Sequence, residues 1–275
     1  MSLKLGLLAS SQQQAAPDLL DTYSGASAAY SLRKLRTAYT GFAIRVRRSS
    51  DNAETNIGFV SNGGLDTTTL ITFCGISNGF VTTWYDQSGN NVNAIQTTSG
   101  NQPQIVNNGI VILQGTKPTI LFDGINDYLD ATGVTTGYPK TIFLISKFTS
   151  ILASEIAIFD SVTTNQAIFY KDSFNRMIIG FGIQIDTSYV ITTNFNLYSI
   201  FNKNTSPNFY VNSNLFLNNP DFGSNSFNGL RIGASRNSAA LFYNGNIGEF
   251  IVYGSNQLSN RTGIESNINT YYSIF

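Results

Sequence analysis

Lys117-Pro-Thr-Ile-Leu-Phe-Asp-Gly-Ile-Asn-Asp-Tyr-Leu-Asp130 decides the reading of the fold. An apolar run, Thr119 to Phe122, stops at Asp123-Gly124, and a second apolar segment starts at Tyr128. Gly accepts a positive φ and Asp tolerates one, so Asp-Gly between apolar runs marks a tight turn between strands. Outward from this hairpin the same grammar repeats. Short apolar runs at Phe80–Tyr85, Gly109–Leu113, Thr141–Phe148, Ile156–Phe159, Ala167–Tyr170 and Arg176–Ile185 read as strands. So do Tyr198–Phe201, Asn208–Val211, Gly229–Ile232 and Gly245–Tyr253. Phe42, Ile44 and Val46 alternate with Ala43, Arg45 and Arg47, which is the pattern of a half-buried strand.

Many short strands with Gly, Asn and Pro turns predict an all-β sandwich. Two helices are expected beside it. One spans Ser24–Tyr39, where Ala28, Leu32, Leu35 and Tyr39 recur at helical spacing. The other closes the chain, with Ser259 as N-cap and Ile264, Ile268 and Tyr271 on one face. Residues 1–20 read as a polar arm and residues 21–275 as one domain.

Composition narrows the function classes. Charged residues are 12% of the 275-residue chain and the net charge is zero, so no nucleic-acid footprint is present. The polar surface comes from amides and hydroxyls, a composition resembling fibres and adhesins. With no His, Ser-His-Asp and Cys-His catalysis and His-ligated zinc are excluded. Cys74 stands alone, so no intrachain disulfide forms, and it reads as a small buried residue. No apolar run reaches the roughly 18 residues of a membrane span. Met1–Leu8 lacks the apolar core of a secretory signal.

The hairpin motif resembles one in laminin-G-like and concanavalin-like sandwiches, and Phe242–Tyr253 followed by a helix resembles the exit of the same fold. The resemblance implies a concanavalin-like jelly roll. A more specific likeness runs through residues 30–48, Ser61-Asn62-Gly63-Gly64, Phe73-Cys74 and Trp84-Tyr85-Asp86-Gln87-Ser88-Gly89-Asn90. This series resembles the catalytic domain of fungal α-L-arabinofuranosidase B, a retaining glycoside hydrolase.

That resemblance implies two carboxyl groups about 5–5.5 Å apart. It places the nucleophile in Asp172-Ser173-Phe174-Asn175, where Phe174 stands instead of Glu, and the acid in Gly233-Ala234-Ser235-Arg236, which has no carboxylate. The family's paired cysteines correspond to Ala157-Ile158, ahead of Phe159-Asp160. The partner of its Phe-Cys disulfide falls near Gly79.

With these features replaced together, the expectation is a non-catalytic structural or attachment protein of a bacteriophage particle, located in the virion. The chain also resembles phage-encoded sandwich proteins. Partners would be other virion proteins, met through residues 1–20, further copies of the chain, and a cell-surface glycan. Alternatives are an active arabinofuranosidase-type hydrolase and a free carbohydrate-binding module.

Candidate glycan-binding residues are Trp84, Tyr85, Asp86, Gln87, Asp160 and Asp172; for Tyr85 to Gly89 the competing reading is a strand end entering an Asx turn. Asp123, Asp127 and Asp130 suit either turn chemistry or a Ca²⁺ site. Turn chemistry is favoured, and no metal or cofactor is expected. Arg33, Lys34, Arg36, Arg45, Arg47 and Arg48 could meet an acidic partner or form a solvated face. Phe195, Tyr198, Phe201, Phe209 and Tyr210 fit a binding platform or, by their spacing, core. Asn204-Thr205-Ser206 and Asn260-Arg261-Thr262 match a glycosylation pattern that means little without a secretion signal.

Overall fold

The computed structural model describes residues 18–151, 154–163, 167–203, 207–236 and 241–275. The arm's residues 1–17 and the sequon at Asn204 lie outside them. Within the described residues the chain is an all-β sandwich of antiparallel strands.

One sheet runs, strand beside strand, through Glu54–Ile57, Ile44–Arg48, Gly79–Trp84, Ala94–Ile95 and Leu129–Thr136. It continues through Phe227–Ile232, Ile156–Ser161, Ile168–Lys171, Arg176–Gly180 and Gln184–Val190. The second is built on the long strand Asn244–Tyr253, flanked on one side by Ala26–Ser31 and Ile120–Asp123. On its other side follow Lys140–Phe148, Asn196–Asn202, Asn208–Val211 and Asn214–Asn218. Gln104–Asn107 pairs with a strand of each sheet and joins them.

Alternation along the strands assigns the faces. Ile142, Leu144 and Phe250 turn into the space between the sheets, where Phe159 meets Phe250 at 5.2 Å and Phe169 meets Tyr198 at 5.2 Å. Phe143, Ile145 and Ile251 turn the other way, under the C-terminal helix Arg261–Tyr272. Ile264, Ile268 and Tyr272 of that helix are buried there with Leu19 and Leu20. The second sheet is therefore covered on both faces. Because Leu19 and Leu20 are buried and Leu20 N–H donates to Leu35 O (2.8 Å), the packed domain includes residues assigned from sequence to the arm.

The expected helix Ser24–Tyr39 is not formed. Ala26–Ser31 is a strand, entered through Gly25 at φ 84°. Its partner, Asn244–Tyr253, lies more than 200 residues away, and pairing with it overrides local spacing. The helix that does form early is Thr67–Cys74, capped by Asp66, whose carboxylate accepts from Thr69 N–H (2.9 Å). The five aromatics read as either platform or core are packing residues. Tyr198 and Phe209 lie between the sheets, while Phe195, Phe201 and Tyr210 join the cluster under the helix.

The opening hairpin folds as its sequence predicts. Gly124 sits at φ 80° and the Asp123 carboxylate accepts from Ile125 N–H (2.8 Å). Asp127 accepts from Asp123 N–H (2.9 Å), and Asp130 pairs with Arg231 (2.8 Å). The three carboxylates are thus spent on turn and ion pair rather than drawn around one point.

Cys74 is buried, and a Cβ placed on Gly79 would lie 2.8 Å from its sulfur. Gly79→Cys is expected to close a disulfide with Cys74, since the two side chains would meet with almost no backbone movement. A bridge across so short a loop contributes about 2 kcal/mol. The check is thiol titration under non-reducing conditions with a thermal melt. Loss of both thiols with a melting point raised by several degrees is expected; two persistent thiols would refute the placement.

Candidate functional site

The residues proposed from sequence separate into three places. Trp84 is fully buried, its ring 5.8 Å from that of Tyr30. Asp86 is buried too: Oδ1 accepts from Ala29 N–H (2.9 Å) and Ser88 N–H (2.9 Å), and Oδ2 from Ser88 Oγ–H (2.7 Å). Gln87 accepts from Leu35 N–H (2.8 Å) and donates to Ser31 O (3.0 Å) and Arg33 O (2.9 Å). These three cannot face a glycan. They clamp the segment that follows Ala26–Ser31 onto the end of Gly79–Trp84, so the turn reading holds for this block. Tyr85 alone of the four stays part-exposed, its hydroxyl donating to Asn56 Oδ1 (2.8 Å).

Asp160 and Asp172 sit on one hairpin but not together. Its ladder pairs Ile156 with Lys171 and Phe159 with Phe169. Asp160 is therefore at one end and Asp172 just beyond the other, about 13 Å apart along the strands. Such a separation is too long for the carboxyl pair of a retaining glycosidase. Asp160 is buried and accepts from Ser161 N–H (2.8 Å) and Arg236 N–H (3.1 Å). Desolvation raises its pKa, against the lowering effect of these bonds.

Asp172 organises the turn into Arg176–Gly180. Its Oδ1 accepts from Phe174 N–H (2.9 Å) and Arg176 N–H (2.8 Å), and its Oδ2 from Arg176 Nη2–H (2.7 Å). Burial alone would raise its pKa. The Arg176 backbone and guanidinium and the Phe174 N–H outweigh burial and hold it below the usual carboxylate range. Arg176 also pairs with Asp186 on the next strand. Phe174 is 74% exposed, with the Arg176 guanidinium 5.2 Å from its ring centre. Next to it, Tyr170 donates to Gln184 Oε1 (3.0 Å).

One residue here was not singled out from sequence. Glu155 immediately precedes Ile156 and Asp172 immediately follows Lys171, the last pair of the ladder, so both flank the same end of the hairpin. Both carboxylates act on the same neighbours. Desolvation first, then Glu155 and Asp172, raise the pKa of the Tyr170 phenol; both also oppose the desolvation that lowers that of Lys171. The sequence holds four glutamates. Glu54, Glu249 and Glu265 have ion-pair partners, and Glu155 has none among the described residues. A lone Glu ahead of a strand carries no motif, so only the register reveals it.

Four of the six basic residues read as either partner surface or solvated face, all but Lys34 and Arg36, are committed within the fold. Arg33 pairs with the buried Glu249 (2.8 Å), Arg45 with Glu54 and Arg48 with Asp51. Arg47 is buried and donates to Gln102 Oε1 (2.7 Å) and Ser99 O (3.0 Å).

Residues 21–149 match the family model for the catalytic domain of α-L-arabinofuranosidase B. A probable α-L-arabinofuranosidase B of Aspergillus flavus is 37% identical over 105 residues, which are 36% of this chain and 21% of that protein. One from Aspergillus clavatus is 39% identical over 104 residues, 36% of this chain and 20% of that protein. The aligned stretch thus spans about a fifth of the curated relatives' length.

Among solved structures, an arabinofuranosidase complexed with arabinofuranosyl-α-1,2-xylobiose superposes with TM-score 0.72 at 16% identity. The superposition covers 91% of this chain and 64% of that one. A second α-L-arabinofuranosidase, soaked with a cyclic sulfate inhibitor, gives 0.73 at 14% identity over the same shares. The sandwich therefore resembles the arabinofuranosidase B catalytic domain.

These matches correct the expectation of a non-catalytic bacteriophage structural protein located in the virion. They run to a sugar-cleaving domain and to fungal arabinofuranosidases, and they point to a glycoside hydrolase.

Proposed function

We propose that this sandwich acts on α-L-arabinofuranosyl groups as a glycoside hydrolase, at the mouth of the hairpin formed by Ile156–Ser161 and Ile168–Lys171. The observation that carries the reading is that Glu155 and Asp172 flank the same end of that ladder and both act on Tyr170, in a fold resembling an arabinofuranosidase catalytic domain. Glycoside hydrolysis needs one carboxyl that stays ionised against an oxocarbenium-like transition state and one that moves a proton to the leaving oxygen. Asp172 suits the first role, because the Arg176 and Phe174 N–H groups stabilise its anion. Glu155, solvent-exposed and without an ion-pair partner among the described residues, is assigned the second. Tyr170 and Phe174 supply apolar surface for the sugar ring.

The test is release of 4-nitrophenol from 4-nitrophenyl α-L-arabinofuranoside. Wild-type protein is expected to turn it over, and Glu155→Gln to lower kcat by about 10²–10⁴-fold, the range for loss of a general acid. Asp172→Asn is expected to lose activity as well. Absence of wild-type turnover, or rates untouched by both substitutions, would overturn the proposal.

A further inference from the structure

A second site lies on the same sheet, away from that hairpin. Tyr39-Thr40-Gly41-Phe42 forms a tight ridge. Tyr39 Oη–H donates to Phe42 O (2.9 Å), and a Cβ on Gly41 would lie 2.6 Å from the Tyr39 ring, so the ring folds closely over the bare glycine. The ridge raises Phe42 into solvent at 45% exposure, its ring 6.3 Å from that of Tyr85. Cavities of about 440 Å³ and 850 Å³ open on its two sides and share these four residues, forming one trough across an aromatic crest.

The polar groups of the smaller cavity are uncommitted in a way their neighbours are not. Asp86 and Gln87 have their hydrogen-bonding capacity spent on the backbone. By contrast, among the described residues the Asn91 amide and the Thr40 hydroxyl have no hydrogen-bond partner. Asn93 uses only Oδ1, accepting from Asp86 N–H (3.0 Å), which leaves its NH₂ available, and Arg36 uses Nη1 alone, on Ser88 O (3.0 Å). Charge is balanced along the trough, with Lys34 and Arg36 against Asp18 and Asp86. An exposed aromatic face ringed by free amide, hydroxyl and guanidinium groups, with no net charge, suits a ligand with C–H faces and many hydroxyls.

We propose that this trough is an independent binding site for a neutral oligosaccharide, which stacks on Phe42 and Tyr85 and hydrogen-bonds Asn91, Asn93 and Arg36. Strand Gly79–Trp84, from which Tyr85 emerges, is five strand spacings from Ile168–Lys171 in the sheet order. At about 4.8 Å each this is roughly 24 Å, so one short sugar cannot fill both sites.

Titration calorimetry and saturation-transfer NMR with arabinotriose, xylotriose and cellotriose test it, on wild-type protein and on Phe42→Ala, Asn91→Ala and Glu155→Gln. At least one trisaccharide is expected to bind wild type with saturation. Phe42→Ala should weaken it ten-fold or more and Asn91→Ala several-fold, with Glu155→Gln unchanged. Phe42 and Asn91 are exposed, and an unaltered far-UV spectrum will establish that both variants fold. No saturable binding to wild type, or equal binding by folded Phe42→Ala and Asn91→Ala, would overturn the site. Binding lost only in Glu155→Gln would assign the sugar to the hairpin instead. Because the readout is affinity, failure here is distinguishable from failure of the hydrolase reading.

Discussion

Glu249→Ala is expected to destabilise the protein by about 3–5 kcal/mol, the cost of stranding a buried charge. The Glu249 side chain is 1% exposed and accepts from Ser31 Oγ–H (2.7 Å), Arg33 Nε–H (2.8 Å) and Arg33 Nη2–H (3.0 Å). Arg33 donates further to Asn267 Oδ1 (2.8 Å) and lies 5.1 Å from the centre of the Tyr271 ring. The pair thereby joins the first strand of the second sheet to its longest strand and to the C-terminal helix. Without the carboxylate, the guanidinium stays in a dry site with only an amide to face. For a chain of this size the loss amounts to a fall in melting temperature of about 10 °C.

Arg33→Met alone should cost nearly as much, by stranding the anion. Arg33→Met with Glu249→Leu should recover most of the loss, because the desolvation penalty of both charges vanishes with them. A double-mutant cycle from urea unfolding measures this. Additive losses in the cycle would refute the coupling.

The second large effect is a pH dependence centred on Asp127. Its side chain is buried, and desolvation, followed by the charge of Asp123, pushes its pKa from 3.8 up to about 7. The folded state therefore holds a proton that the unfolded chain releases near pH 4. Between those values the native state binds more protons, so stability falls as pH rises. The contribution is fully present below about pH 4 and lost as pH passes 7. At 1.36 kcal/mol per unit the span is about 4 kcal/mol at most.

Asp127→Asn mimics the protonated acid and keeps an oxygen for Asp123 N–H. It should match wild type at pH 4 and exceed it at pH 8. Comparing wild type and variant at each pH removes the contribution of every other titrating group. Parallel urea midpoints across the range would refute the assignment.

Much of the sandwich is legible in the chain because its signals are local. The Asp123-Gly124 turn, the alternation of Ile44 and Val46, and the helical spacing of Ile264 and Ile268 each describe a few neighbouring residues. The failures arise where distant pairing decides. Ala28 and Leu32 fit a helical face and an alternating strand equally well, and the choice is made by Phe250 to Tyr253. The candidate site is less legible for the same reason. Asp160 and Asp172 are close in sequence yet belong to opposite ends of a hairpin, whereas Glu155 and Asp172 flank the same end of it, a placement that no motif encodes. Trp84, Asp86 and Gln87 resemble a sugar platform by residue type, but Trp84 packs on Tyr30, and hydrogen bonds to a segment about 55 residues earlier turn Asp86 and Gln87 inward.

The pairing of Ala26–Ser31 with Asn244–Tyr253 also sets the order of events during synthesis. A nascent chain carries its early strands through more than 200 further residues of synthesis before their partner leaves the ribosome. Until then Tyr30 and Trp84 have an incomplete wall to pack on, and edges that will be central are open to other chains. Assembly therefore waits on Asn244–Tyr253, and a product that ends before residue 244 should need chaperones rather than fold.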